Sequence, residues 1–182
     1  MGIDLFTIDH TWTLFLDRDG VINQRIFGGY VLSSESFVFE QGVLSALKIA
    51  NQGFGKIIVV TNQQCVALGV LSESSLAQIH QDMITEVSST GGRIDAVYAA
   101  IDLKTATPNR RKPNSAMALE AQRQFPEIDF SKAIMVGDTD SDLRFGKELG
   151  MKTVLVESKE VTQEVPDLSV KSLLELMNNL CA

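Results

Sequence analysis

Cysteine and histidine are scarce in this chain of 182 residues, which contains two of each. Cys65 and Cys181 stand far apart and have no histidine beside them, so they offer neither a disulfide framework nor a zinc cluster. His10 and His80 have no partner at the spacing of a metal site or a catalytic triad. We therefore expect ordinary reduced thiols, and histidines in structural or exposed positions.

Long apolar runs and excess positive charge are missing as well. No segment approaches the roughly eighteen consecutive apolar residues of a membrane helix, and the N-terminus lacks a basic segment followed by an apolar one. The net charge of −7 argues against a broad surface for nucleic acid, which is bound by clustered Lys and Arg. We expect a cytoplasmic protein without membrane or nucleic-acid partners, monomeric or weakly homo-oligomeric.

Prolines are few, four in all, and low-complexity tracts are absent. Together with a hydrophobic content of 45%, these features favour a folded chain over a disordered one. The length suits one domain with a substantial core and leaves little room for a large accessory domain. The sequence predicts a single domain over residues 1–182.

Apolar segments and helical patterns alternate along the chain. Five segments rich in β-branched and apolar residues predict buried strands: 11–17, 56–62, 94–101, 132–138 and 151–157. Helical patterns cover 42–52, 73–90, 114–125, 140–149 and a last segment from about 168. This alternation predicts a doubly wound, Rossmann-like α/β fold with a mostly parallel five-stranded sheet and helices on both faces. Residues 20–40 interrupt it and predict a flap or hairpin after the first strand.

Chemically active side chains follow the predicted strands at the points where the strands end. The first strand runs into the stretch LFLDRDGVIN, with two carboxylates two residues apart. The full set, in chain order, is Asp17, Asp19, Thr61, Asn62, Arg111, Lys112, Asp138 and Asp142. Ligands of open parallel sheets bind beyond the carboxyl ends of the strands, where the strand order reverses. We therefore expect these side chains to converge on one site.

Several carboxylates in one cleft repel one another. Two unit charges about 4 Å apart cost on the order of 4 kcal/mol at an effective dielectric of about 20, so a cation must lie among them. Oxygen ligands without cysteine or histidine suit Mg²⁺. Thr61 and Asn62 offer neutral donors to phosphate oxygens, and Lys112 offers a point charge. This combination is typical of a phosphoryl-transfer site.

Each part of the pattern has a plainer interpretation when it stands alone. An Asp-x-Asp at a strand end usually serves a turn, and Asp138 and Asp142 are also placed to cap the helix that begins near residue 140. Lys112 with its neighbouring arginines is compatible with a solvated turn. The ordered set of four motifs, each placed where the fold would gather it, favours the functional interpretation.

The stretches LFLDRDGVIN, VVTNQ, RRKP and MVGDTDSDL resemble, in order, the four motifs of the haloacid dehalogenase phosphatase superfamily. The similarity extends from about residue 12 to residue 156. Within the superfamily, DRDGVIN, the segment around Gly29-Tyr30-Val31 and the Arg111-Lys112-Pro113 turn resemble the D-glycero-D-manno-heptose 1,7-bisphosphate phosphatases and the histidinol-phosphate phosphatases. That subfamily lacks a cap domain, in agreement with the absence of a large insertion here.

The resemblance implies roles for the four aspartates. Asp17 would attack phosphorus and form an aspartyl-phosphate, while Asp19 would protonate the leaving oxygen and later activate water. Mg²⁺ would be held by the Asp17 carboxylate, the Asp19 main-chain carbonyl and Asp138, with Asp142 assisting from behind these ligands. A covalent intermediate divides a slow hydrolysis into two easier steps, which agrees with this assignment.

The resemblance also implies a set of residues that bind the substrate. Thr61, Asn62 and Lys112 would bind the phosphoryl group, with Lys112 part of the catalytic machinery, and Arg111 would face the substrate. The expected activity is hydrolysis of a small phosphorylated metabolite, with a sugar phosphate or bisphosphate favoured and histidinol phosphate as the alternative. A receiver-like signalling domain or a non-catalytic phosphate-binding protein is the alternative of another class.

Three departures from the family pattern concern recognition of the substrate. Many members of the subfamily carry a zinc-binding loop before the Arg-Lys-Pro turn, but residues 99–110 here contain neither cysteine nor histidine, so we predict no zinc. Leu68 stands where a basic residue is usual, and Thr139 stands where a lysine often follows the first aspartate of the fourth motif. None of the three touches the predicted catalytic aspartates.

Overall fold

A computed structural model describes residues 8–180, in which a parallel six-stranded sheet has the order β3-β2-β1-β4-β5-β6. The strands are β1 (Thr13–Leu16), β2 (Lys56–Asn62), β3 (Ala96–Ala100), β4 (Ala133–Gly137), β5 (Lys152–Val156) and β6 (Leu168–Val170). The helices are α1 (Val43–Gly53), α2 (Glu73–Ser89), α3 (Ala116–Gln124), α4 (Asp140–Glu148) and α5 (Leu173–Leu180). The doubly wound parallel α/β fold predicted from the sequence is confirmed.

The sheet is covered on both faces because successive side chains of a strand point to opposite sides. Leu14 and Leu16 of β1 pack into one core with apolar residues of α1, α2 and α5. Phe15, between them, packs into a second core with residues of α3 and with Phe145 of α4. Leu14, Phe15 and Leu16 are all fully buried, which explains why the sequence of this strand is a continuous apolar run.

Two expectations about the chain's organisation are wrong in detail. The sheet has six strands instead of five, because residues 168–170 form β6 beside β5, and the last helix begins at residue 173 instead of about 168. β6 has three residues, too few to show a period of two, and its backbone pairing with β5 defines it. The other predicted boundaries lie within two residues of those observed.

The flap at residues 20–40 contains no regular hairpin strands. Its backbone is held by isolated bridges that join Asn23 to Asp19 and to Phe39, and by a short 3-10 turn at Ser34–Ser36. Pairing stops there because the Gly28-Gly29 pair and the following serines favour turns. The flap is therefore irregular, and Val31 in its middle anchors it by packing against Leu76 and Ile79 of α2.

The structure also bears on the cysteine, histidine and membrane predictions. Cys65 is buried, His10 is exposed and His80 is buried, whereas Cys181 lies outside the described residues. Within residues 8–180, no helix has both the length and the apolar character needed to cross a membrane.

Candidate active site

Three buried carboxylates meet at the point where the sheet order reverses. β1 pairs with β2 on one side and with β4 on the other, so the residues that follow β1 and β4 lie side by side. These are Asp17 and Asp138, and Asp142 joins them from the first turn of α4. One carboxylate oxygen of each lies within 4.8 Å of those of the other two. The structure thus brings together the aspartates of the first and fourth motifs.

The two carboxylate oxygens of Asp142 have different partners. Its Oδ2 accepts hydrogen bonds from the Thr139 main-chain N–H at 3.1 Å and from the Thr139 hydroxyl at 2.7 Å, which caps α4. Its Oδ1 lies 2.6 Å from Lys112 Nζ. The Asp142 side chain packs directly against the main chain of Gly137, where a Cβ atom would lie 2.1 Å from the Asp142 Cβ, so this position requires glycine. The capping interpretation of Asp142 is therefore confirmed, and its other carboxylate oxygen faces Lys112.

Lys112 is the central cation of the carboxylate group. It is buried, and its Nζ lies 2.8 Å from Asp17 Oδ1 as well as 2.6 Å from Asp142. Nζ also donates to the Val60 carbonyl at 2.7 Å, so its three protons have three acceptors. Burial opposes the charge, but the Asp142 and Asp17 carboxylates raise the pKa of Lys112 above its usual range. The ammonium therefore stays charged.

Asn62 fixes the main chain of Lys112 to the end of β2. The Lys112 N–H donates to Asn62 Oδ1 at 2.9 Å, and Asn62 Nδ2 donates to the Lys112 carbonyl at 3.2 Å. Both polar atoms of the Asn62 amide are thus paired with the main chain of Lys112. This pairing fixes the position of Asn62 on the wall of the cleft.

Asp17 and Asp138 bind protons more tightly than free aspartates. Burial, together with the neighbouring Asp142 charge, raises the pKa of Asp17 to about 7 although Lys112 opposes the shift. Burial likewise raises the pKa of Asp138 to about 6, against the effect of Arg25. The local positive charges of the protein therefore do not fully compensate the three carboxylates.

Asp19 is held differently from the other three aspartates. Its Oδ1 accepts hydrogen bonds from Arg18 Nη2 at 2.8 Å and Asn23 Nδ2 at 2.9 Å, and its Oδ2 accepts one from Gln63 Nε2 at 2.7 Å. Burial opposes ionisation, but the Arg18 charge and these three hydrogen bonds lower the pKa of Asp19. Asp19 is therefore ionised in the free protein.

A cleft of about 230 Å³ opens above the carboxylates. Five predicted site residues line it, namely Asp17, Asp19, Asn62, Arg111 and Lys112. Thr61 is fully buried and does not line the cleft. Its hydroxyl accepts a hydrogen bond from Gln63 Nε2 at 2.8 Å. Asp138 and Asp142 lie behind the floor of the cleft, close to Asp17. Further lining residues include Tyr30, Gln64, Thr139 and Ser141.

Two arginines at the site escaped the sequence analysis. Arg18, between the two carboxylates of the first motif, is fully buried, and its Nη1 donates to His80 Nε2 at 3.1 Å. Arg25, on the flap, donates to Asp138 through two nitrogens, Nε at 2.9 Å and Nη2 at 2.6 Å. The position of Arg18 beside both aspartates was a usable signal, whereas that of Arg25 depends on how the flap folds back.

The fold and this site define a class of protein. It is a doubly wound α/β enzyme that hydrolyses phosphate esters, with carboxylates and a buried lysine at the topological switch point. Residues 109–176 match the family model described as HAD-hydrolase-like. A D-glycero-alpha-D-manno-heptose-1,7-bisphosphate 7-phosphatase of Mycobacterium bovis is 33% identical over 170 residues, which cover 91% of this chain and 90% of the relative. A D-glycero-beta-D-manno-heptose-1,7-bisphosphate 7-phosphatase of Rhodopseudomonas palustris is 30% identical over 167 residues, 88% of each chain.

A solved structure shares the same fold. The D,D-heptose 1,7-bisphosphate phosphatase from B. bronchiseptica, crystallised with magnesium and phosphate, superposes with a TM-score of 0.81 at 23% identity and covers 93% of this chain and 97% of its own. With the sequence relatives, these findings establish the family. The chain belongs to the haloacid dehalogenase superfamily and is a phosphatase.

Proposed function

We propose that this phosphatase hydrolyses a small sugar phosphate, with a sugar bisphosphate favoured, through an aspartyl-phosphate on Asp17. The observation that carries the chemistry is the meeting of three buried carboxylates and Lys112 beneath the cleft. The similarity to heptose 1,7-bisphosphate phosphatases, at 30% identity or more over most of the chain, supports the substrate class.

The donor set around Asp17 fits Mg²⁺. Each candidate ligand is an oxygen: the carboxylates of Asp17 and Asp138, and the main-chain carbonyl of Asp19, which faces the same guanidinium as Asp138. Asp142 supports these ligands from behind, since Lys112 and Thr139 already contact both of its oxygens. When bound, Mg²⁺ would neutralise the carboxylates and polarise the phosphoryl group.

Asp17 is placed to act as the nucleophile at the floor of the cleft. One of its oxygens contacts Lys112, and the residue lines the cleft. Attack on phosphorus forms the bond between phosphorus and the carboxylate oxygen and breaks the bond to the sugar oxygen. Lys112 offsets the negative charge that accumulates on the phosphoryl oxygens.

Asp19 supplies and then removes a proton. A phosphate dianion that enters the cleft raises the pKa of Asp19, because a like charge disfavours its ionised form, and the protonated carboxyl then transfers its proton to the leaving sugar oxygen. The resulting carboxylate accepts a proton from the water that attacks the aspartyl-phosphate. Inorganic phosphate leaves, and Asp17 is restored.

The rim of the cleft carries the groups available for the rest of the substrate. Arg111, Tyr30 and Gln64 line it, and Gln64 Nε2 donates to the Tyr30 hydroxyl at 2.9 Å. A cation at the floor, Lys112, and another in the wall, Arg111, suit a ligand with two phosphates. The names of the relatives disfavour histidinol phosphate, and membership of a phosphatase family disfavours the signalling and non-catalytic alternatives.

Phosphate release from a panel of compounds tests the proposal. The panel contains both anomers of D-glycero-D-manno-heptose 1,7-bisphosphate, hexose monophosphates, histidinol phosphate and nucleotides, each with Mg²⁺ and with a chelator. We expect a heptose bisphosphate to be turned over best, no turnover with the chelator, and a loss of about 10³-fold or more in Asp17→Asn, as for removal of a nucleophile.

The matched control is Asp129→Asn, because Asp129 is exposed and caps a 3-10 turn before β4. This variant should keep wild-type turnover. Comparable turnover by Asp17→Asn and the wild type, or turnover that the chelator leaves unchanged, would contradict the proposed mechanism.

A further inference from the structure

Arg25 reaches from the flap into the group of carboxylates. Its Nε and Nη2 pair with both oxygens of Asp138, and Nη2 also donates to the Asp19 carbonyl at 3.1 Å. The same Nη2 lies 3.8 Å from Asp17 Oδ2. A single guanidinium thus contacts, or closely approaches, oxygens of all three residues that would ligate Mg²⁺.

Mg²⁺ and this guanidinium would compete for the same oxygens. Mg²⁺ demands near-octahedral oxygen ligation at about 2.1 Å, and the Asp138 carboxylate is engaged in a bidentate pair with Arg25. Charge-assisted bidentate pairs are among the stronger interactions of arginine. Binding of Mg²⁺ at these oxygens would therefore oppose the pair between Arg25 and Asp138.

We propose that Arg25 is an internal counter-cation that holds the metal position in the metal-free protein and that Mg²⁺ displaces. The inference rests on the metal site of the proposed function. Arg25 keeps the buried carboxylates partly neutralised while no metal is bound. The apparent affinity for Mg²⁺ is then the intrinsic affinity multiplied by the fraction of molecules in which the pair between Arg25 and Asp138 is open.

The structure provides a place for the displaced guanidinium. A larger cavity of about 660 Å³ borders the flap on the side away from Lys112, and Arg25, Glu40 and Glu157 are among its lining residues. Arg25 Nη1 already lies 3.9 Å from Glu160 Oε1. A rotation of the side chain toward these acids would exchange one carboxylate partner for another instead of leaving the charge unpaired.

The short segment that follows Arg25 is suited to such a rearrangement. The middle of the flap is anchored by Val31, which is 2% exposed and packs against Leu76 and Ile79, but Ile26 and Phe27 are 41% and 54% exposed. Few buried contacts therefore oppose a movement confined to residues 25–27.

The test is metal binding to the metal-free protein, measured by calorimetry with Mg²⁺ and by electron paramagnetic resonance with Mn²⁺. We expect Arg25→Met to bind Mg²⁺ about tenfold more tightly than the wild type, a change in binding free energy of about 1.4 kcal/mol, and Arg25→Lys to lie between them. The control Arg144→Met removes an equal charge at an exposed pair with Glu164 and should bind like the wild type.

Unchanged or weaker binding by Arg25→Met, with normal binding by the wild type, would overturn the role of Arg25 and leave the metal site standing. Failure of the wild type to bind either ion would overturn both proposals. If Arg25→Met does not fold, nuclear magnetic resonance of the wild type decides. An Arg25 Nε–H signal that is protected without metal and loses protection on addition of Mg²⁺ supports the exchange, and a signal that Mg²⁺ leaves unchanged refutes it.

Discussion

Single buried residues set the chemistry of this site, and Arg18 shows how. The guanidinium is fully buried and is held by Asp19, by His80 and by the ring of Phe37, whose centroid lies 5.7 Å away. Arginine does not lose its proton in proteins, so His80 Nε2 must accept the hydrogen bond as a neutral imidazole. Burial, reinforced by the Arg18 charge, lowers the pKa of His80 to about 4.

His80 should therefore make the protein sensitive to acid. Its pKa is lower in the folded state than in the unfolded state, so its contribution to stability is complete above about pH 6.5 and is lost as the pH falls toward 4. Between pH 7 and pH 5, we expect the wild type to lose about 2 kcal/mol more unfolding free energy than His80→Gln.

Urea unfolding of the metal-bound proteins at both pH values measures this difference. The exposed His10→Gln variant is the control and should follow the wild type. An equal loss of stability in His80→Gln and the wild type would contradict a neutral, buried His80.

At the scale of elements, the turn after β1 packs closely against Asp138, one of the proposed metal ligands. Gly20 has a φ of +92°, and a Cβ atom there would lie 2.3 Å from Asp138 Oδ2. Gly28, on the same flap, has a φ of +72° and nothing within 4 Å of a Cβ atom. The two positions share the left-handed backbone but differ in what a side chain would meet.

Gly20→Ala should consequently lose both stability and metal affinity, whereas Gly28→Ala should lose only stability. The left-handed conformation costs each alanine about 1–2 kcal/mol, and only the methyl group at position 20 must push Asp138 aside. Thermal unfolding and Mg²⁺ calorimetry of both variants separate the two effects. Equal metal affinities would show that Gly20 serves the backbone alone.

The elements were largely predictable because their periods are local properties of the sequence. β2 was predicted with its observed bounds, 56–62, since five consecutive apolar and β-branched residues, 57–61, form its centre. β6 and the inner structure of the flap were not predictable, because pairing with β5 and a few isolated bridges define them. Arg25 was missed for the same reason, as its partner Asp138 lies 113 residues further along the chain.

For the whole molecule, metal binding, protonation and folding are linked through the buried carboxylates. Asp17 titrates at about 7 in the folded protein instead of 3.8. Because the folded state binds this proton more tightly, the metal-free protein loses stability as the pH rises from about 4 to 7. Asp17→Asn removes the contribution, so the wild type should lose stability relative to the variant over this range.

Urea unfolding at pH 5, 6, 7 and 8, without metal, measures the stability difference between the wild type and Asp17→Asn. Saturating Mg²⁺ stabilises the folded state and favours the ionised carboxylate, so it should reverse the trend in the wild type. A stability difference that is independent of pH without metal would show that Asp17 is already ionised at pH 5.

The resemblance of the sequence motifs implies that Asp17 is the nucleophile, a role that we propose here, and the fold places Asp17 beside Lys112 at the reversal of the strand order. The most direct test is to quench the enzyme in acid during turnover of its best substrate and to search its peptides for a phosphoryl group by mass spectrometry. We predict one phosphoryl group on the peptide that contains Asp17, and none in Asp17→Asn. Rapid turnover with the phosphoryl group on another residue, or undiminished turnover in the variant, would contradict the account.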